Sequence, residues 1–77
     1  MPRARDLHVI PNSDRRGWGL WRAGRKVSRH RTQKRAVLVG LRIARRTRVD
    51  LVTHGRGGRI RSKESYGNET AVRDKEH

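Results

Sequence analysis

The sequence predicts an α+β fold: a small antiparallel β-sheet, in the order β-β-(β)-α-β-β, packed against one amphipathic helix. Three observations lead there. One stretch, TQKRAVLVGLRIARR (32–46), repeats its apolar residues at the helical period. Short β-prone runs flank it on both sides, separated by turn-rich segments. Finally, 77 residues without a cysteine allow one domain, near the lower size at which a core holds a fold unaided. That domain is expected over residues 6–66, between a flexible N-terminus (1–5) and a disordered tail (67–77).

LHVIP (7–11) reads as a first strand ended by proline. NSDRRG (12–17) is a polar turn, and GWGLWR (17–22) alternates with period two, so the pair reads as a hairpin. Ala23-Gly24 suits a second tight turn into RKVSRH (25–30), a weaker edge strand whose Arg25, Lys26 and Arg29 discourage edge-to-edge pairing. Thr32 is a good N-cap for the helix. At about 100° per residue, Ala36, Val37, Val39, Gly40, Leu41, Ile43 and Ala44 gather on one face, with Lys34, Arg35, Leu38, Arg42, Arg45 and Arg46 opposite. Gly40 costs about 1 kcal/mol against alanine in a helix interior, so a close approach to the sheet is expected there. VDLVTH (49–54) is the clearest strand, with Val49 and Leu51 pointing one way and Val52 the other. GRGG turns the chain into RIRSKES (59–65), with Ile60 expected inward and Arg59, Arg61 and Lys63 outward.

Charge is the dominant compositional feature. Lys and Arg number 21 against 7 Asp and Glu, a net of +14. Residues 1–61 hold 18 basic and 3 acidic side chains, whereas the remainder is close to neutral. Such a body favours a polyanionic partner, because each phosphate neutralised releases condensed counterions. GC-rich coding can account for 17 Arg against 4 Lys, but it does not readily account for the shortage of acids in residues 1–61. No apolar run approaches the roughly 18 residues of a membrane span, and MPRARDLH lacks the apolar region of a secretory signal. A cytoplasmic protein is expected, nucleoid-associated if it binds DNA.

Several motifs invite a chemical reading. The glycines of His54-Gly55-Arg56-Gly57-Gly58 resemble a phosphate cradle, yet they lie between two strands and no Gly-Lys-Ser/Thr follows. A hairpin turn explains them, and Arg56 at its tip stays available to a phosphate. Trp18 and Trp21 fall on opposite faces of one strand. Trp18 is the core member beside Leu20, and Trp21 is the candidate to stack on a base. His8, His30, His54 and His77 form no metal-binding spacing. No nucleophile, base and orienting group assemble from the sequence, so neither an enzyme nor a cofactor is expected. The helix is also a poor membrane-surface element, since its apolar face is mostly Ala, Val and Gly.

HVIPN (8–12), GW (17–18), TQKRA (32–36) and LVTHGRGGRIRSKESYGNE (51–69) resemble a family of small bacterial and phage proteins defined only as a domain of unknown function. Its members resemble H-V-V-P-N, then G-W, a T-Q-x-E-A helix start and a closing L-V-x-H-G-R-D-G-R-I-R-x-K-D-S-Y-G-N-D. Lys34-Arg35 and Gly57 depart from that pattern, where acidic residues are usual, so the resemblance implies a more basic member of the family. The resemblance brings no mechanism with it. GWGLWR through TQKRA is also similar in outline to the arm-binding domains of phage-type integrases, which set a Trp-bearing sheet into the DNA major groove. That likeness is at the level of fold alone.

The reading is a small nucleic-acid-binding protein that contacts mainly the phosphate backbone, with low sequence specificity and DNA favoured over RNA. Arg35, Arg42, Arg45 and Arg46 on the helix, Arg56, Arg59 and Arg61 on the last hairpin, and Trp21 are the expected contacts. Helix and hairpin need not share a face, so two patches are anticipated. The rival reading is a protein-binding modulator, phage-encoded and acting on a host protein, with no nucleic-acid role. A homodimer through edge strands is compatible with either.

Overall fold

The computed structural model describes residues 6–14 and 16–66. The readings for residues 1–5 and 67–77 lie outside them. Six elements follow in order: β1 (Leu7–Pro11), β2 (Trp18–Arg22), β3 (Arg25–His30), α1 (Gln33–Thr47), β4 (Leu51–His54) and β5 (Ile60–Glu64). This is the α+β order predicted, with the sheet arranged β3-β2-β1-β4-β5.

One join departs from an all-antiparallel sheet: β1 and β4 pair in parallel, Leu7 opposite Leu51 and Val9 opposite Thr53. Parity of the connections requires it. Two hairpins reverse the chain twice, and α1 carries it back along the sheet, so β4 sets out from the same end as β1. The lower end of this join is fixed by Leu7 N–H donating to the Asp50 carbonyl (2.9 Å) and by Asp50 N–H donating to the Asp6 side-chain Oδ1 (3.2 Å).

Local chemistry sets the turns. Ala23 and Gly24 have φ of 50° and 77°, the pair of positive values that a two-residue hairpin matched to strand twist demands. The β1–β2 turn closes with Asn12 N–H on the Gly17 carbonyl at 3.1 Å. The nearly buried Asn12 also donates from Nδ2 to the Arg16 carbonyl at 2.8 Å. Thr32 caps α1 as expected, its hydroxyl accepting from Arg35 N–H at 3.1 Å. Arg48 ends the helix in the left-handed region at φ 56°, its N–H returning to the Ala44 carbonyl. That cap delays β4 until Leu51, although Val49 is already buried.

The core is a single layer between α1 and one face of the sheet. Leu7, Val9, Trp18, Leu20, Val49 and Leu51 meet Ala36 and Ala44. Small residues at 36, 40 and 44 make the buried stripe of α1. A Cβ on Gly40 would stand 2.9 Å from Leu51 Cδ1 and 3.1 Å from Leu20 Cδ1, so the glycine allows a close approach of helix and sheet there. The conformational cost of glycine is thereby offset by packing.

Strand β5 behaves differently from its sequence reading. Ile60 was expected to face inward, yet it is 59 % exposed. A register shift between Thr53 and His54 places Ile60 opposite His54, on the sheet face away from α1. Arg61 instead turns to the helix side, donating from Nη1 to Gln33 Oε1 at 2.7 Å. Helix α1 packs on β1 to β4 and leaves β5 uncovered, so neither side of that edge strand is enclosed.

Two turn positions carry opposite predictions. Gly17 has φ +79°, and a Cβ there would meet the His30 carbonyl oxygen at 2.4 Å. Gly17→Ala should therefore destabilise the domain by about 2 kcal/mol or more. Ala23→Asn relieves a side chain held at φ 50° and should stabilise by up to about 1 kcal/mol. Urea unfolding midpoints read both signs.

Candidate nucleic-acid interface

The outer face of α1 presents Lys34, Arg35, Leu38, Arg42, Arg45 and Arg46 to solvent. Burying the apolar stripe against the sheet leaves this face no other orientation. No acidic residue stands in the first turn, and Arg45 and Arg46 lie in the last turn, where the helix dipole favours cations. At 1.5 Å of rise per residue, Arg35 to Arg46 spans about 16 Å. Arg45 also lies over the Tyr66 ring, 5.8 Å from its centroid, which orders one end of the patch.

The last hairpin contributes at its edges. Arg61 joins the first turn of α1 through Gln33, whose Nε2 in turn donates to the His54 carbonyl at 3.2 Å. The hairpin thus reaches the start of the helix patch on the helix side. Arg56 is exposed at the turn and lies 5.2 Å from the centroid of Trp18, capping the edge of the core. Arg59 is exposed on the returning strand. Gly58 adopts φ +91°, and its N–H bonds the Gly55 carbonyl at 2.9 Å, as a hairpin turn requires.

Trp21 sits elsewhere, on the sheet face away from α1. Trp18 is 5 % exposed in the core, as expected, whereas Trp21 is half-buried. Its ring rests against Gly19, where a Cβ would come within 2.8 Å of Nε1. Lys26 Nζ stands 5.6 Å from the ring centroid and donates to Asn12 Oδ1 at 3.2 Å. The predicted contact residues therefore divide. Arg35, Arg42, Arg45, Arg46 and Arg61 share the helix side, Arg56 and Arg59 belong to the β4–β5 turn and the start of β5, and Trp21 occupies the opposite face.

No local motif signals the histidine pair that lies on that opposite face. His8 Nδ1 and His54 Nε2 are 3.1 Å apart, with ring centroids separated by 5.4 Å. The parallel β1–β4 join unites residues 46 positions apart that share no local motif. Among the described residues no three His, Cys, Asp or Glu side chains converge as a metal site. Asn12 and Lys26 were likewise unforeseen, because their roles depend on how the first turn folds over β2.

Asp6, Asp14 and Asp50 bond within the domain. Asp6 and Asp50 are buried, and Asp50 lies 3.7 Å from Lys63 Nζ. Asp14 accepts from Arg16 N–H at 2.8 Å and pairs with Arg29 at 3.0 Å. The backbone hydrogen bond is the chief cause that lowers the Asp14 pKa, with Arg29 adding to it. Among the described residues, the ion pairs involve none of the five helix cations.

Burial pushes His8 below its ordinary value of 6.5, and the neighbouring His54 lowers it further against an opposing pull from Asp6. Below pH 6.5 the unfolded chain binds a proton at His8 that the folded chain resists. Its contribution to stability is therefore complete above pH 6.5 and is lost as pH falls toward the lowered folded value. An NMR titration should find the His8 midpoint below that of an unstructured peptide. His8→Gln should flatten the fall in unfolding free energy between about pH 7 and pH 5.

No helix among the described residues is long and apolar enough to cross a membrane. No curated protein and no solved structure matches the chain. The family described as "Uncharacterized protein conserved in bacteria (DUF2188)" matches residues 7–66, which takes in all six elements from β1 to the Tyr66 that flanks β5. The expected kinship with a domain of unknown function is correct, and the chain belongs to this bacterial family.

Proposed function

We propose that the protein binds nucleic acid, duplex DNA foremost, through phosphate contacts made by the outer face of α1. The observation that supports this is the composition of that face: five exposed cations, no acid, and an apolar back already committed to the core. About 16 Å of duplex axis carries roughly ten phosphate charges, enough to engage every one of these side chains. The face offers no Asn or Gln to read adenine, and Gln33 at its margin is occupied by Arg61 and the His54 carbonyl. Contacts of this kind position a protein on the backbone without selecting sequence. A cytoplasmic, nucleoid-associated location follows from this role.

If all five cations contact phosphates, log K should fall with log salt at a slope of about −4.5, or about 500-fold between 50 and 200 mM. Arg42→Glu with Arg46→Glu should weaken binding and reduce the slope by about 2. Absence of any duplex retention in gel shifts at low salt would sink the reading.

Leu38 favours a second reading. It is 48 % exposed amid the helix cations, where a phosphate contact has no use for it. A protein partner with an acidic, partly apolar surface would use both. Under the DNA reading Leu38→Ala leaves duplex affinity unchanged. A nuclease-resistant protein complex that Leu38→Ala abolishes would favour the rival. Both edge strands also expose their outer sides, so two copies could pair along β3 or β5. Sedimentation showing only a 9.0 kDa species at low concentration would exclude that dimer.

A further inference from the structure

On the sheet face away from α1, a groove runs over the end of β1 between two turns. Ile10, Pro11, Trp21 and Lys26 line one part, together with Asn12 and Ser13. Residues 10–13 continue as the wall of the other part, which Arg56, Gly57 and Gly58 complete. Residues 10–13 thus border both hollows, with Lys26 beside one and Arg56 beside the other.

Three features make it more than a surface crease. Gly19 lets the Trp21 ring lie down against β2, since any Cβ would meet Nε1 at 2.8 Å. Lys26 is held in place by Asn12 Oδ1, and Asn12 is itself anchored to the Arg16 carbonyl at 2.8 Å. Arg56 lies 5.2 Å from the ring centroid of Trp18, the residue paired with Pro11 at the end of β1. Neither Gly57 nor Gly58 has an atom within 4 Å of an added Cβ, so that wall stays open.

We infer that this groove seats single-stranded nucleic acid, with an unpaired base against Trp21, Ile10 and Pro11 and flanking phosphates at Lys26 and Arg56. Bases inside a duplex are already stacked and paired, so only a single strand can offer a base face to an apolar floor. A half-buried aromatic beside cationic side chains is a combination that sequence-tolerant single-strand binding uses. The inference rests on the nucleic-acid reading above and adds to it a second surface with a different strand preference. The helix face and the groove lie on opposite sides of the sheet, so their variants can be separated.

The test uses the full chain and an oligothymidylate of about eight nucleotides, with a blunt hairpin duplex in parallel. Oligothymidylate should quench tryptophan fluorescence, and Trp21→Phe should remove the response while the core Trp18 remains. By fluorescence anisotropy, Trp21→Ala should weaken single-strand binding roughly tenfold and change duplex binding less than about twofold. Arg42→Glu with Arg46→Glu should show the reverse pattern. Circular dichroism confirms the fold of each variant. If Trp21→Ala unfolds, Trp21→Phe and Lys26→Glu report the same two affinities. Equal losses on both substrates, or equal quenching by inorganic polyphosphate, which has no bases, would overturn the groove assignment. Duplex binding without any oligothymidylate quenching would also overturn it while leaving the helix reading intact. Failure of both substrates to bind would remove the two together.

Discussion

The fit of Gly40 against Leu51 and Leu20 governs the remainder of this molecule. A core made of six larger side chains and two alanines has little area to bury, so its stability depends on closeness rather than extent. Placing Ala36, Gly40 and Ala44 on one stripe lets the helix backbone descend onto β1, β2 and β4. Val37, Val39, Leu41 and Ile43 then flank the contact as partly buried walls. A larger residue at position 40 would lift the helix and open the layer along its whole length.

That seat also divides the surface. With α1 centred over the inner strands, its cations face solvent and β5 projects beyond it. The opposite sheet face receives no covering element among the described residues. It is closed only by its own side chains: Trp21 lying on Gly19, and His8 against His54. Val52 is buried there between cross-strand neighbours His8 and Lys63 without a second layer. A two-layer domain of this size thus presents two chemically different faces: a helix whose exposed charges are all cationic and a partly apolar, grooved sheet. The two proposed modes of binding follow from that division.

Much of this was legible in the chain. Thr32 as cap, Ala23-Gly24 as a tight turn and the alternation around Trp18 and Trp21 are short-range signals. Each depends on a few consecutive residues and on backbone rules that tertiary context left untouched. The helix faces were equally clear, because buried and exposed positions of α1 follow the 3.6-residue period. Ile60 was not legible. Alternation says that one side of an edge strand differs from the other, but not which side is covered. The shift opposite Thr53 and the lateral position of α1 together put Ile60 in solvent.

By itself, then, the sequence determined the order of elements, the cationic helix face and the hairpin nature of the glycine-rich turn, since periodicity, capping and positive φ are local properties. Only the tertiary structure decided which residues meet across the sheet. The parallel join of β1 with β4 brought His8 to His54, the fold of the first turn brought Asn12 to Lys26 and Trp21, and Arg61 was drawn to Gln33. These are contacts between segments distant in the chain, fixed by strand register and by how closely the helix packs, and neither is written in any short run of residues.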